Sequence, residues 1–297
     1  MKLSKVEFDV LTKLVGQNKL EYTGFDYPDS KIEETVISLT GDGFIRDGKI
    51  TEKGLTAIEP YKVKRAVFMA AGLGSRLAPV TLKTPKPLVK VNGVRIIDTL
   101  IDAVLRAGIN EIYIVRGYLA KEFDVLHEKY PMIRFIENPL YNVTNNISSG
   151  YAARNLYSNA YILEADLYLN NPDLITPYQY DCNYLGIPVK ETEDWCLELE
   201  ENGRVRRAGK VGRDCYQIVG ITHWTKDAGD KLEKDIDAFF NSGNPDDRQI
   251  FWGTIPLIHK NAEYNVYVRT CRVEDATEID TFDELKAVDK SYENYKA

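Results

Sequence analysis

The apolar run from Ala66 to Ala71 empties straight into Gly72-Leu73-Gly74, an order that suits a buried strand feeding a glycine turn. Glycine lets the main chain approach an anion and aim its N–H groups at it, which a side chain would obstruct. From there the apolar periods alternate. A strand at 66–70 is followed by the glycine loop and a helix at 96–107 that Gly108 stops. Then come a strand at 111–115, a helix at 120–129, a strand at 133–136, a helix near 147–156 and a strand at 160–164. This order predicts an α/β fold with a doubly wound sheet, whose ligands bind at the carboxyl ends of the strands. After residue 170 the sequence turns β-rich and aromatic, as a substrate-binding extension would.

Ahead of this domain, residues 3–14 place Val6, Val10, Leu11 and Leu14 at helical spacing behind a Ser4 cap. A second helix is expected from Ser30, with Ile32, Val36, Ile37 and Leu39 on one face and Gly41–Gly43 as its stop. An Asp47-Gly48 hairpin and a last helical turn follow. Helix, helix, hairpin is the order of a winged helix. The chain therefore divides into a winged-helix-like domain, 1–62, and a larger domain, 63–297, joined near Tyr61–Arg65.

The first domain resembles the winged helix-turn-helix of bacterial regulators over about a fifth of the chain. It departs from them in the poorly periodic stretch Gly16–Ser30 and in its charge, since nine Lys and Arg against eleven Asp and Glu leave −2. A duplex-binding module neutralises several phosphates, so packing or dimerisation is expected of it and DNA binding is not. The whole chain, at −7, offers no electrostatic footprint for nucleic acid or an anionic membrane. No 18-residue apolar run appears, and Glu7 and Asp9 interrupt any leader-like core, so a cytoplasmic location is expected. Cys182, Cys196, Cys215 and Cys271 show neither zinc nor disulfide spacing, and a homo-oligomer is compatible with the composition.

The loop is neither a P-loop nor a dinucleotide fingerprint, because Leu77 stands where the third glycine belongs. It offers backbone donors from Gly72 to Ser75, led in by Ala70 and Ala71, a guanidinium at Arg76, and an ammonium at Lys86 braced by Pro85 and Pro87. Two fixed cations beside an amide nest suit a triphosphate held through transfer. Glu164 and Asp166 close an apolar strand, and alternation places both carboxylates on one face. Glu278 and Asp280 precede a helix that Thr281 and Glu284 cap as a box.

The Gly72–Arg76 loop together with Thr84-Pro85-Lys86-Pro87-Leu88 resembles the signature of nucleotidyltransferases that attach a nucleoside monophosphate to a phosphorylated small molecule. The resemblance spans roughly residues 64 to 290. It implies a Rossmann-like mixed sheet, Arg76 and Lys86 on the nucleotide phosphates, and pyrophosphate release. It further implies Mg²⁺ on Asp166 and Asp280, with Glu278 as the alternative ligand. Gly117-Tyr118 and Asn145-Asn146 are similar to segments that close over the nucleotide in the LicC-like choline-phosphate cytidylyltransferases. That branch implies CTP and phosphocholine as substrates; a sugar 1-phosphate or an aminoalkyl phosphonate is the alternative acceptor. A DNA-binding regulator with a ligand-sensing domain of this type is the alternative outside the enzyme class.

A quaternary ammonium needs ring faces with an acid nearby. Trp195, flanked by Glu193 and Asp194, and Trp252, beside Phe251, are the residues expected to bind it, with core packing competing for each tryptophan. Trp224 reads as core. His127, His223 and His259 have no required role, because the attacking phosphate is already an anion.

Overall fold

The structure is a computed structural model and describes residues 2–17, 21 and 23–295. The chain divides into two compact units, Met1–Lys62 with Tyr178–Tyr180, and Val63–Pro177 with Asp181–Ala297.

In the first unit α1 spans Lys5–Lys13 and α2 Asp29–Gly41. The strands β1 (Ile45–Arg46) and β2 (Lys49–Ile50) form a hairpin, and α3 covers Glu52–Ile58. Ser4 and Glu7 close a full capping box on α1. Asp47 and Gly48 both take positive φ, 50° and 73°, as a two-residue hairpin turn that follows strand twist requires. Phe8, Val10, Leu11, Ile32, Leu39 and Ile58 make the core. Ile37, expected on the inner face of α2, is 72% exposed. It lies five residues beyond Ile32, about 140° round the helix, while Val36 and Leu39 keep the inner stripe. Within the stretch expected to lack helical period, residues 18–20 and 22 lie outside the described residues.

The second unit is built on a seven-stranded mixed sheet. Its elements in chain order are β3 (Arg65–Ala70), the β4–β5 hairpin (Lys90–Val91 and Val94–Arg95), α4 (Ile96–Arg106), β6 (Glu111–Arg116) and β7 (Arg134–Glu137). Next come α5 (Ile147–Ala152), β8 (Ala160–Glu164), β9 (Leu167–Leu169), and the long strands β10 (Cys182–Leu199) and β11 (Val205–Trp224). Helix α6 (Lys226–Phe240), β12 (Val266–Thr270), β13 (Ala276–Glu278) and α7 (Phe282–Val288) complete it. The sheet order is β12-β10-β11-β8-β3-β6-β7, with β3 parallel to β6 and β8, and β11 antiparallel to β8 and β10.

Helix α4 buries Ile97, Leu100, Ile101 and Val104 against one sheet face beside Phe68 and Ile114. The other face carries Val67, Ile162, Trp224 and Trp252 with Leu232 and Ile236 of α6. Covered on both sides, β3 is apolar along nearly its whole length.

One expected helix differs, and the loop before α4 has its own winding. Residues 120–128 wind as a 3₁₀ segment, whose buried Phe123 and Leu126 stand three apart, the spacing that eclipses side chains in that helix. The glycine loop leads into three-residue 3₁₀ turns at Ser75–Leu77, Val80–Leu82 and Lys86–Leu88, not into a helix start. Pro79, Pro85 and Pro87 withhold the N–H donors a continuous helix needs. No helix among the described residues is long and apolar enough to cross a membrane, and all four cysteines are buried free thiols.

Candidate active site

The carboxyl ends of β3 and β8 open into two adjoining cavities of 330 and 410 Å³. Ala70, Ala71, Gly72, Gly74, Ser75 and Lys86 line the smaller one, and Arg76, Asn146, Glu164, Asp166 and Asp280 line both.

Gly74 has φ +59°, and a Cβ there would stand 3.0 Å from Lys86 Cβ and 3.2 Å from Thr81 Cγ2. Only glycine meets both demands, and so the loop folds down onto the lysine. Thr81 Oγ1 donates to the Gly74 carbonyl at 2.9 Å and fixes the turn. Lys86 Nζ donates to Asp166 Oδ2 at 3.0 Å and to Asp280 Oδ1 at 2.6 Å, and Arg76 Nη2 reaches Asp280 Oδ2 at 2.7 Å. Burial works against the Lys86 charge, but the two aspartates outweigh it and hold its pKa above the ordinary lysine value.

Asp280 arrives through a two-stranded ribbon. Strand β13 pairs antiparallel with β9, Glu278 opposite Leu167, which carries residues 278–280 alongside Asp166. Asp166, Glu278 and Asp280 each offer an oxygen within 4.8 Å of the others. Three hard carboxylate donors beside a phosphate-sized cavity fit Mg²⁺, which takes one or two carboxylates and completes its shell with phosphate and water.

The carboxylates raise one another. Glu164 is pushed up to about 8, by burial first and then by Asp166 and Glu278. Glu278, open at its surface but crowded within the cleft, is pushed up to about 7 by that crowding and by Asp166 and Asp280.

Other expected residues fall differently. Asn146 lines both cavities and its Oδ1 accepts from the Trp252 N–H at 2.9 Å. Asn145 is spent on structure, taking the Arg248 carbonyl with its N–H and the Gln249 carbonyl with its side-chain amide, both at 3.0 Å. Gly117 and Tyr118 are in neither lining; Tyr118 braces the loop, donating to the carbonyls of Ala71 at 3.2 Å and Thr81 at 3.0 Å. Trp195 lines the larger cavity, half-buried, and its ring meets Phe251 at 5.9 Å and 73°. Trp252 also lines the larger cavity, but it is 3% exposed and edge-on to Tyr157 and Trp224, so most of its ring packs in the core, and Phe251 is the ring that meets Trp195. Trp224 is fully buried. Lys210, opposite Trp195 on β11, and Tyr184, Thr222 and Thr254 also line the larger cavity and were not singled out in the sequence. Nothing local marks them, because they meet only through strand register.

The Nucleotidyl transferase family profile matches residues 65–164. A 2-aminoethylphosphonate cytidylyltransferase of Lancefieldella rimae is 36% identical over 231 residues, covering 76% of this chain and 92% of the relative. The choline-phosphate cytidylyltransferase of Streptococcus pneumoniae is 30% identical, covering 77% and 99%. A solved structure of the CTP:phosphocholine cytidylyltransferase from S. pneumoniae superposes with a TM-score of 0.70 at 30% identity, over 77% of this chain and 99% of that one. An inositol-1-phosphate CTP transferase from T. maritima shares the fold, with a TM-score of 0.61 at 16% identity over 78% and 94%. The chain belongs to the nucleotidyltransferases, in the family of the cytidylyltransferases.

Proposed function

We propose that the protein transfers CMP from CTP to a phosphorus oxyanion of a small acceptor that also carries a cationic nitrogen, releasing pyrophosphate. The observation that carries this reading is the meeting of two cavities at Arg76, Asp166 and Asp280, one lined by a glycine loop and Lys86, the other by carboxylates and Trp195. The nucleotide phosphates would lie against the Gly72–Ser75 backbone with Arg76 and Lys86 neutralising them. The acceptor oxyanion attacks the α-phosphorus in line; it needs no general base, so positioning and charge neutralisation carry the rate. Asp166 and Asp280, with Glu278, would hold Mg²⁺, which when bound supplies further neutralisation of phosphate charge.

Acceptors that fit are phosphocholine and aminoalkyl phosphonates, the kinds of molecule named for two relatives. The first unit, at −2 by its sequence, serves packing or dimerisation in this reading and does not read DNA. The test crosses CTP, UTP, dTTP, ATP and GTP with phosphocholine, 2-aminoethylphosphonate, phosphoethanolamine and glucose 1-phosphate, read by pyrophosphate release. Turnover confined to glucose 1-phosphate with UTP or dTTP would sink the proposal.

A further inference from the structure

The floor of the 410 Å³ cavity is a patch of sheet. Glu164 on β8 lies over Gly220 of β11, diagonal to Thr222, which pairs with Tyr184 on β10. Thr254, two residues after Trp252, lines the same cavity.

What these groups can still do is set by what they have already spent. Thr222 Oγ1 donates its proton to the Asn183 carbonyl at 2.8 Å, and Thr254 Oγ1 donates to the Phe251 carbonyl at 2.7 Å. Toward a ligand both hydroxyls have only lone pairs left. Glu164 has no cation within ion-pair distance among the described residues and only the Trp252 side chain as a neighbouring donor, whereas Lys86 pairs with Asp166 and Asp280, and Arg76 with Asp280. Tyr184 is 6% exposed and its Oη has no hydrogen-bond partner, which in a cavity wall marks a site that a ligand completes. The rings do not form an open cage: Trp195 and Phe251 make a corner, while Tyr184 and Trp252 reach the cavity with little ring surface exposed.

From this arrangement, and resting on the cytidylyl transfer proposed above, we infer that Glu164, Thr222 and Thr254 recognise a primary ammonium on the acceptor and disfavour a trimethylated one. A primary ammonium brings three N–H donors to three acceptors. A quaternary nitrogen brings none, and would leave those oxygens desolvated without a partner. The geometry thus selects among the acceptor class by hydrogen bonding, with Trp195 and Phe251 packing on the carbon chain.

The experiment compares two acceptors that differ only at nitrogen, 2-aminoethylphosphonate and its N,N,N-trimethyl analogue, with CTP and Mg²⁺ on the full-length protein. The wild type is expected to favour the primary amine by about tenfold or more in kcat/KM. Glu164→Gln is expected to lower kcat/KM for the primary amine about tenfold more than for the trimethyl analogue, whatever loss the two acceptors share. Thr254→Val, which keeps shape and removes the lone pairs, is expected to move the same ratio in the same direction by a smaller factor. A wild-type preference for the trimethyl analogue, or equal losses for both acceptors in Glu164→Gln, overturns the inference and leaves cytidylyl transfer standing. Failure of CMP transfer to both phosphonates, with phosphocholine turned over in the panel above, likewise overturns the inference and leaves the function standing, whereas failure with every acceptor of that panel removes both.

Discussion

Lys86 Nζ stands 2.6 Å from Asp280 Oδ1, across 194 residues of sequence. One ammonium, 9% exposed at its side chain, neutralises one carboxylate from the middle of the larger unit and one from near residue 280, and it is the cation proposed above for nucleotide phosphate.

Lys86→Ala is expected to lower turnover by about 10² or more, since charge stabilisation that grows in the transition state is lost. The same variant leaves Asp166 and Asp280 without their shared counter-ion. Mg²⁺ should therefore raise its melting temperature more than it raises that of the wild type. Pyrophosphate release and a melt with and without Mg²⁺ check both halves; wild-type turnover would remove Lys86 from the site.

Gly74→Ala places a methyl 3.0 Å from Lys86 Cβ at a φ of +59°. The left-handed backbone alone costs about 1–2 kcal/mol, and relief of the clash displaces the lysine. A urea midpoint lowered together with kcat is the expected outcome. A loss of stability with kcat intact would show that the glycine serves only the turn.

Trp195 and Trp252 separate by burial. Trp195→Ala is expected to raise the acceptor KM several-fold and leave the KM for CTP, a loss of about 1 kcal/mol of ring contact. Trp252→Ala removes a ring packed against Tyr157 and Trp224 and should cost about 3–5 kcal/mol of stability. Chemical denaturation beside steady-state kinetics distinguishes them; the reverse pattern would return Trp252 to the acceptor.

His223 is fully enclosed, with Nδ1 3.0 Å from the Asp181 carbonyl and its ring edge-on to Tyr161. Burial holds it neutral and lowers its pKa from 6.5 to about 4. Its contribution to stability is complete above pH 6.5 and is lost as pH falls from there toward 4, because the unfolded chain binds the proton first. Between pH 7 and 5 the loss is about 2 kcal/mol. His223→Gln should flatten that part of the stability profile, and an unchanged slope in urea titrations would assign the acid sensitivity elsewhere.

The first unit is expected to give no sequence-selective shift of duplex DNA at nanomolar protein. Lys31 on α2 pairs with Glu34 at 3.8 Å, leaving little free cation on that helix. A salt-sensitive, sequence-dependent shift would reverse this reading.

The alternation of strand and helix was legible because burial on both faces writes itself into β3 and β8 as unbroken apolar runs. Lys86 was legible too, since prolines on both sides single it out. What stayed hidden depended on register and on one-residue choices. The pairing of Glu278 with Leu167 decides where Asp280 stands, and no local period encodes it. Neighbouring residues also divide roles that composition cannot separate: Asn146 lines the cavities while Asn145 ties down a loop, and Phe251 is exposed while Trp252 is core. Thr222 and Thr254 would have read as ordinary strand and loop residues, because a hydroxyl's remaining lone pair shows only once its proton has a destination.

The ribbon that joins β9 to β13 gives the site a birth date. Synthesis at ~5–20 residues per second delivers Asp280 roughly 10 to 40 s after Lys86, given the 194 residues between them. Throughout that interval a nascent chain owns the glycine loop and its lysine and comes to own Asp166, but not the second carboxylate that Lys86 and Arg76 both meet. A transfer that needs Asp280, as proposed above, therefore waits until β13 has been made and has paired with β9.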